Sequence, residues 1–426
     1  MGKLFSIFHS DTFIIFVQNK NLIELIMKPY YILIITILIY ASHVQVFATK
    51  NHKLLISFEE TKADTTIQQE NDSTNSISQL DQFNEKFERL VRIFPIPIVS
   101  YSSETNWLFG LSKINSFRMG TKDQFDESIQ PSQITGLVYL TLNRQYKGVV
   151  TSDLIFGKNK YQSFTQIKFI DFPNYYFGVG DYTKLEDRCW VETENLSFEQ
   201  SFGYKLNKNW YAALKYHYNN YYKVDSVPNT ESCTFDFTEL EKNKGPQSGL
   251  GFKIHRETRD NRLNAKKGSF LLFEFMDYGK WIGSKFEYNS VVLDYRKFIS
   301  PNNWLTIAGQ FYAEAKFGEV PVQSLALMGG DNRMRGIYIG RFRDKTMMEG
   351  QVELRFPIYW IFSGTVFSGL GEVSPTLETY TWQGIKWTYG AGFRVSVNQA
   401  TRSNVRFDVG FFEHTPLFFF TFSEAF

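Results

Sequence analysis

The sequence predicts an all-β protein, a closed 16-stranded antiparallel transmembrane β-barrel. Three observations lead there. Between residues 93 and 426 apolar and polar side chains alternate with a period of two, the spacing of a strand with two unlike faces. The alternating runs are about 10 to 14 residues long, against the usual five or six of soluble sheets. Short connections alternate with long ones, as in a barrel with tight turns at one end and loops at the other.

Composition narrows the classes further. The chain has 426 residues and a formal net charge of +2, so it offers no strong electrostatic attraction to nucleic acid. Its 42 Phe, 24 Tyr and 8 Trp supply ample apolar area, which argues against disorder. Repeated apolar runs of about 20 residues are missing, so a bundle of membrane helices is excluded. Two Cys cannot build a disulfide framework or a four-Cys metal site. The six His, at 9, 43, 52, 217, 255 and 414, show no metal-ligand spacing, and no cofactor is expected.

The first segment, 1–48, reads as an address. An apolar run from Tyr30 to Ala41 follows Met27-Lys28 and precedes Val46-Phe47-Ala48. This is the pattern of a secretory signal peptide cleaved after Ala48, with Met1–Ile26 as an upstream extension; the alternative is an N-terminal membrane anchor. Export makes a Cys189–Cys233 disulfide chemically possible, and two free thiols are the other reading. Segment 49–92 begins as a Thr-, Gln-, Asn- and Ser-rich tether. From Leu80, the residues Phe83, Phe87, Leu90 and Val91 share one helical face and predict a short amphipathic helix that ends before Pro95 and Pro97. It is expected to rest at or in the barrel mouth, with binding to a partner as the alternative.

Segment 93–426 is the barrel. Strand centres fall near 111, 138, 152, 166, 177, 198, 216, 252, 273, 292, 311, 352, 366, 391, 407 and 421. The strand at 174–182 is the least regular, and losing it with a neighbour would leave fourteen. In 305–317, Ile307, Phe311 and Phe317 alternate with Thr306, Gln310, Glu314 and Lys316; 389–397 and 405–411 repeat the pattern. Short turns are expected at 143–147, 171–174, 206–209, 299–303, 357–360 and 398–403. Outer loops are expected at 118–132, 181–191, 223–247, 318–346 and 372–384. A soluble β-sandwich is the competing fold. Strand one (Trp107–Phe117) carries Gly110, Lys113 and Asn115, a weak edge. The last strand (Leu417–Phe426) places Phe418, Phe420, Phe422 and Phe426 on one face as a C-terminal barrel signal, with no Gly to kink it.

Residues 329–357, GGDNRMRGIYIGRFRDKTMMEGQVELRFP, resemble the BamA/TamA-type bacterial surface antigen barrels, the outer-membrane assembly and secretion superfamily. The motif is Met334-Arg335-Gly336-Ile337, with Tyr338 one place late, in the loop before the twelfth strand. Arg259-Asp260-Asn261 through Gly268 resembles the family's turn, and Gly390–Asn398 with Arg406–Gly410 its penultimate strands. The likeness covers roughly 250–426 well and 93–250 by pattern. It implies a loop folded into the lumen and an arginine anchored on the wall. A planar guanidinium suits carboxylates, and Glu353 points inward by alternation. The family's second partner, an Asp one strand later, is Gly369 here, so Asp408 or Asp294, both inward, could replace it. Arg259–Gly268 reads as a structural periplasmic turn, with Lys266 and Lys267 solvated or meeting lipid phosphates.

The resemblance further implies an integral protein of a Gram-negative-type outer membrane that assembles or translocates polypeptides. Its partners would be outer-membrane lipid, periplasmic or outer-membrane proteins and an unfolded client, with no nucleic acid. The family's periplasmic substrate-receiving domains are not expected in this chain. A structural or passive pore-forming barrel is the alternative. No Gly-x-Ser-x-Gly, phosphate-binding loop or His-Glu-x-x-His motif occurs, so no enzyme is expected, and a lipid-handling hydrolase is the weakest of the three readings.

Overall fold

A computed structural model describes residues 95–117, 119, 130–226, 237–398 and 402–426. The address segment, the tether and the helix at Leu80–Val91 lie outside the described residues, as does Cys233.

The alternating runs form a ring of sixteen antiparallel strands. In chain order these are β1 (Ile96–Ser102), β2 (Asn106–Phe117), β3 (Ser132–Thr141), β4 (Tyr146–Phe156), β5 (Tyr161–Asp171), β6 (Cys189–Lys205), β7 (Trp210–Ser226) and β8 (Gly245–Glu257). There follow β9 (Gly268–Tyr278), β10 (Tyr288–Ile299), β11 (Thr306–Gly318), β12 (Thr346–Tyr359), β13 (Phe362–Ser374), β14 (Lys386–Asn398), β15 (Ser403–Phe412) and β16 (Thr415–Phe422). Each strand pairs with the next, and β1 pairs with β16 to close the cylinder. Closure satisfies backbone donors and acceptors that hydrocarbon could not.

The two faces are sorted as the alternation requires. On β11, Phe311 and Phe317 are exposed to the outside while Thr306 and Gln310 are buried inside. On β14 and β15, Trp387, Phe393 and Phe407 face out, and Thr388, Arg394, Arg406 and Asp408 are buried in the lumen. A large set of apolar side chains is thereby presented to lipid, the reverse of a soluble sandwich.

The count of sixteen agrees with expectation, but two strands differ. Ile96–Ser102, expected to follow a helix stop, is the first strand, so Trp107–Phe117 lies in the second. Pro is tolerated at the start of a strand and on one with an open edge, which is where Pro97 sits. The strand expected at 174–182 is only a three-residue continuation, Asn174–Tyr176, which pairs with β6 just as β5 does. Phe172-Pro173 interrupts β5 without turning it back, so 171–174 is no turn.

These two differences cancel in the count but reverse the polarity of the early strands. The connection 118–131 lies at the end where β1 begins and β16 finishes. The turn at 142–145 lies instead at the end of the long 319–345 loop. The two ends will be called the turn end and the loop end.

Residues 423–426 depart from expectation too. Phe418 and Phe422 face outward on β16, with Phe420 half-buried on the same side, but the strand stops at Phe422. Ser423 has φ 70° and turns the chain inward. Glu424, Ala425 and Phe426 are buried, and Phe426 packs with Ala265, Phe298, Ala308 and Ala425. Phe426 thus belongs to the lumen packing rather than to an outer aromatic face.

Candidate functional site: the lumen loop and the strand seam

Between β11 and β12 the chain folds back into the barrel. Ala326, Met328, Met334, Ile337 and Phe342 of this loop pack with Met347, Val373 and Phe412 of the wall in one apolar cluster. The tip needs a close backbone approach. Gly336 has φ 118°, and a Cβ there would meet the Phe411 backbone at 2.7 Å; a Cβ on Gly410 would meet the Arg335 carbonyl oxygen at 2.4 Å. Two glycines therefore let the loop tip lie directly on β15.

Arg335, 1 % exposed, is the anchor. Its Nη1 donates to Asp408 Oδ2 at 2.7 Å and its Nη2 to Glu353 Oε2. Its guanidinium carbon lies 3.6 Å from the centre of the Phe367 ring, so an aromatic face supports the fork from below. Of the two candidates for second partner, Asp408 is the one used. Asp294 stays on its own wall with Arg296 at 2.6 Å and Gln310 at 2.9 Å. Gly369, where the family has Asp, is occupied in another way: a Cβ there would come 2.9 Å from Met334 Sδ, so the missing carboxylate makes room for the motif's methionine.

The anchor is part of a larger network that sequence reasoning missed. Arg394 Nη1 donates to Asp408 Oδ1 at 2.5 Å and its Nε to Glu424 Oε2 at 3.0 Å. Arg355 Nε donates to Glu353 Oε1 at 2.8 Å. Arg406 Nη2 reaches the Asp331 carbonyl at 2.8 Å and Asn332 Oδ1 at 3.2 Å, tying the loop a second time. Four buried arginines face the buried carboxylates of Glu353, Asp408 and Glu424 and the half-exposed Asp331, so each desolvated carboxylate meets an opposite charge. A signal was present in the sequence: Arg394, Arg406 and Asp408 all fall on the inward phase of strands already recognised.

The loop is also held from the side. Tyr338 donates its hydroxyl to Asn174 Oδ1 at 2.6 Å, and its ring meets Tyr175 at 5.7 Å and Phe177 at 5.5 Å. Gly180 N–H donates to the Arg343 carbonyl at 2.8 Å. The Ile339 N–H donates to Glu104 Oε1 at 2.6 Å. Burial, with the charge of Asp331 adding to it and the Ile339 bond opposing, pushes the Glu104 carboxyl up to about 8.

The remaining expected residues separate into structural roles. Asp260 Oδ1 accepts from the Lys266 and Lys267 amides at 2.9 and 3.1 Å, and Asn261 Oδ1 from the Leu263 and Asn264 amides at 2.8 and 2.9 Å. Gly268 has φ 101° and abuts the Thr258 carbonyl. Arg259 is forked onto Glu257. This is a self-capped turn at the turn end, with Lys266 and Lys267 exposed. Cys189 is fully buried and disulfide-bonded. Among the described residues no cluster of His, Cys, Asp and Glu is suited to hold a metal.

The second part of the site is the seam. β1 and β16 share two register pairs, Tyr101↔Phe420 and Ser102↔Phe419. The flanking pairs are far longer, seven for β1–β2 and eight for β15–β16. Toward the turn end, Ile96–Val99 is zipped to β2 on one side only, Ser100 adds a hydroxyl bond to the Phe420 carbonyl, and Pro97 has no N–H to offer. Beyond the ladder, Ser103 clasps β16 at the loop end: its N–H donates to the Phe418 carbonyl at 3.0 Å, and its Oγ accepts from Phe418 N–H at 2.9 Å.

The family model that matches the chain is the Omp85 superfamily domain, over residues 158–416. No curated protein matches. Among solved structures the chain is similar to BamA from Haemophilus ducreyi in a form lacking POTRA domains 1–3, with TM-score 0.53 and 12% identity, covering 82% of this chain and 78% of that one. It is also similar to CdiB from Acinetobacter baumannii, with TM-score 0.51, 9% identity and coverage of 78% and 59%. CdiB from Escherichia coli gives TM-score 0.51, 9% identity and coverage of 76% and 62%. The chain thus spans less than two thirds of either CdiB, and at such identities these likenesses speak for the fold alone.

Proposed function

Because the chain belongs to the Omp85 superfamily and is an integral outer-membrane barrel, we propose that it handles a polypeptide client at its seam, either assembling the client into the membrane or passing it across, together with partner subunits. Members of the superfamily are assembly and transport proteins rather than enzymes.

The observation that carries this reading is the two-pair closure of β1 on β16. A strand with unpaired N–H and C=O groups templates another strand. Among the described residues, Ile96–Val99 of β1 have no register partner on β16, and Ser100 reaches it through its hydroxyl alone, which donates to the Phe420 carbonyl. Separating the seam costs the two register pairs, the Ser100 hydroxyl bond to the Phe420 carbonyl and the Ser103–Phe418 clasp, while β1 stays zipped to β2. A client strand adding to Ile96–Ser100 would satisfy backbone groups that hydrocarbon leaves unsatisfied. The anchored loop keeps the lumen closed and the wall stiff on β12–β15 while this happens.

The test is to lock the seam. Tyr101→Cys with Phe420→Cys places cysteines at register partners. Reconstituted in liposomes with an unfolded client barrel, the oxidised variant should fold little client, and reductant should restore the wild-type rate, with reductant-treated wild type as control. A locked barrel as active as the open one would overturn the reading. Ion conductance without client folding would favour the passive pore.

A further inference from the structure

We propose that the three-residue turn between β1 and β2, Ser103-Glu104-Thr105, is a coupling joint that makes release of the lumen loop and loosening of the seam one event. Glu104 is its positioning residue on the loop side. The proposal rests on the reading of the seam as the working edge, and it adds what controls that edge.

The turn makes three attachments to three different elements. Ser103 grips β16 through two hydrogen bonds with Phe418. The Glu104 side chain grips the lumen loop, its Oε1 accepting from the Ile339 N–H 2.6 Å away, four residues beyond the Arg335 anchor. The Glu104 carbonyl accepts from Asn143 Nδ2 at 3.0 Å, fixing the turn to the β3–β4 connection. Internally it is stiffened by Ser102 Oγ, which accepts from the Thr105 N–H at 3.0 Å and bonds the Thr105 hydroxyl at 2.8 Å.

A surface turn of three residues has no need of a buried acidic side chain. Glu104 is 8 % exposed, and placing an acidic side chain there is costly unless it is bonded. Its bond goes to a residue 235 positions away, on an element with no ladder to β1. Asp331 and Tyr338 of the same loop also face it. If the loop leaves, Glu104 loses its partner, and the turn loses the contact that holds it over the lumen. Since Ser103 is its chain neighbour, the Phe418 clasp is then strained. Coupling of this kind must act in both directions.

Hydrogen exchange followed by mass spectrometry on the full chain in proteoliposomes tests this without any client. Glu104→Ala should speed exchange in β16 (Thr415–Phe422), to which the Glu104 side chain is not hydrogen-bonded. Ser103→Ala should speed exchange across residues 330–342, to which Ser103 is not hydrogen-bonded. Each remote effect should be about fivefold or more, the low end of ordinary coupling. Glu104→Gln keeps an acceptor oxygen and should stay at wild-type rates in both peptides. Faster exchange confined to the element each substitution touches, or no change in either, overturns the proposal. Should Glu104→Ala fail to fold, as judged by a lost heat-modifiable gel band, Ser103→Ala decides alone. A seam lock that spared client folding would refute the function above and leave this result standing.

Discussion

Arg335, Glu353 and Asp408 form a fork with both prongs filled, so the three should not behave as independent contributors. Removing the guanidinium leaves two buried carboxylates facing Arg355 and Arg394; removing Glu353 leaves Arg335 on Asp408 alone. Breaking a buried pair costs about 3–5 kcal/mol. Arg335→Ala should therefore lower the temperature at which the folded band disappears in cold-detergent gels, and Glu353→Ala added to it should cost little more. Full additivity in that double-mutant cycle would disprove the pair. Glu104 supplies a second prediction at this scale. Its ordinary value is 4.5, and in the fold it rises to about 8. A raised acid contributes most below its unfolded value and loses that contribution as pH climbs through the folded one. Heat resistance attributable to Glu104 should thus decline between about pH 4.5 and 8, and Glu104→Gln should flatten the decline; an unchanged slope in that variant would count against a neutral buried carboxyl. The sequence made the Arg335–Glu353 pair legible because strand alternation fixes which residues face in. Glu104 was not legible, since it lies in a turn whose flanking strand had not been recognised.

At the scale of elements, the loop and the glycines that seat it form one unit. Gly410 lies on β15, far from the motif in sequence, yet its missing Cβ is what the Arg335 carbonyl occupies. Gly410→Ala should push the tip off the wall without touching any charge. Single-channel recordings would show it as more frequent openings, and protease cleavage within 330–342 should become faster; a variant as quiet and resistant as wild type would mean the loop seats elsewhere. The same scale explains what sequence reading got wrong. Pro95 and Pro97 read as stops because proline ends helices, and nothing in seven residues of Ile96–Ser102 distinguishes a proline-bearing edge strand from a linker. Phe172-Pro173 reads as a turn, yet the chain continues along β6 after it. Both errors come from proline, which breaks a ladder locally but does not dictate whether the chain reverses. Period-two alternation is robust over β8 to β15, where long strands repeat it many times, and fails where a strand is three or seven residues long.

For the whole molecule, the strands vary in length around the ring in a way that bears on the bilayer. β1 and β16 have 7 and 8 residues, and β6 and β7, far around the ring from the seam, have 17 each. With a rise of about 3.3 Å per residue and a tilt near 45°, the seam strands reach across roughly 16–19 Å and the long strands roughly 40 Å. Hydrocarbon is about 30 Å thick, so the long side projects beyond it while the seam side falls short. The bilayer must thin against β1 and β16 or leave polar backbone in contact with acyl chains, and each ångström of mismatch carries a modest cost. That cost falls on the closed seam and is relieved when a longer client strand takes the place beside β1. Two expectations follow for liposomes of increasing acyl chain length. Folding of a client barrel, corrected for the protein-free rate, should fall less steeply with chain length when this protein is present, because the local thinning travels with it. Oxidising the Tyr101→Cys, Phe420→Cys pair should leave the thinning in place but remove access to the edge, so the locked barrel should retain only part of that protection. If the locked and unlocked barrels protect equally at every chain length, the short strands act on the lipid alone and the edge takes no part in assembly.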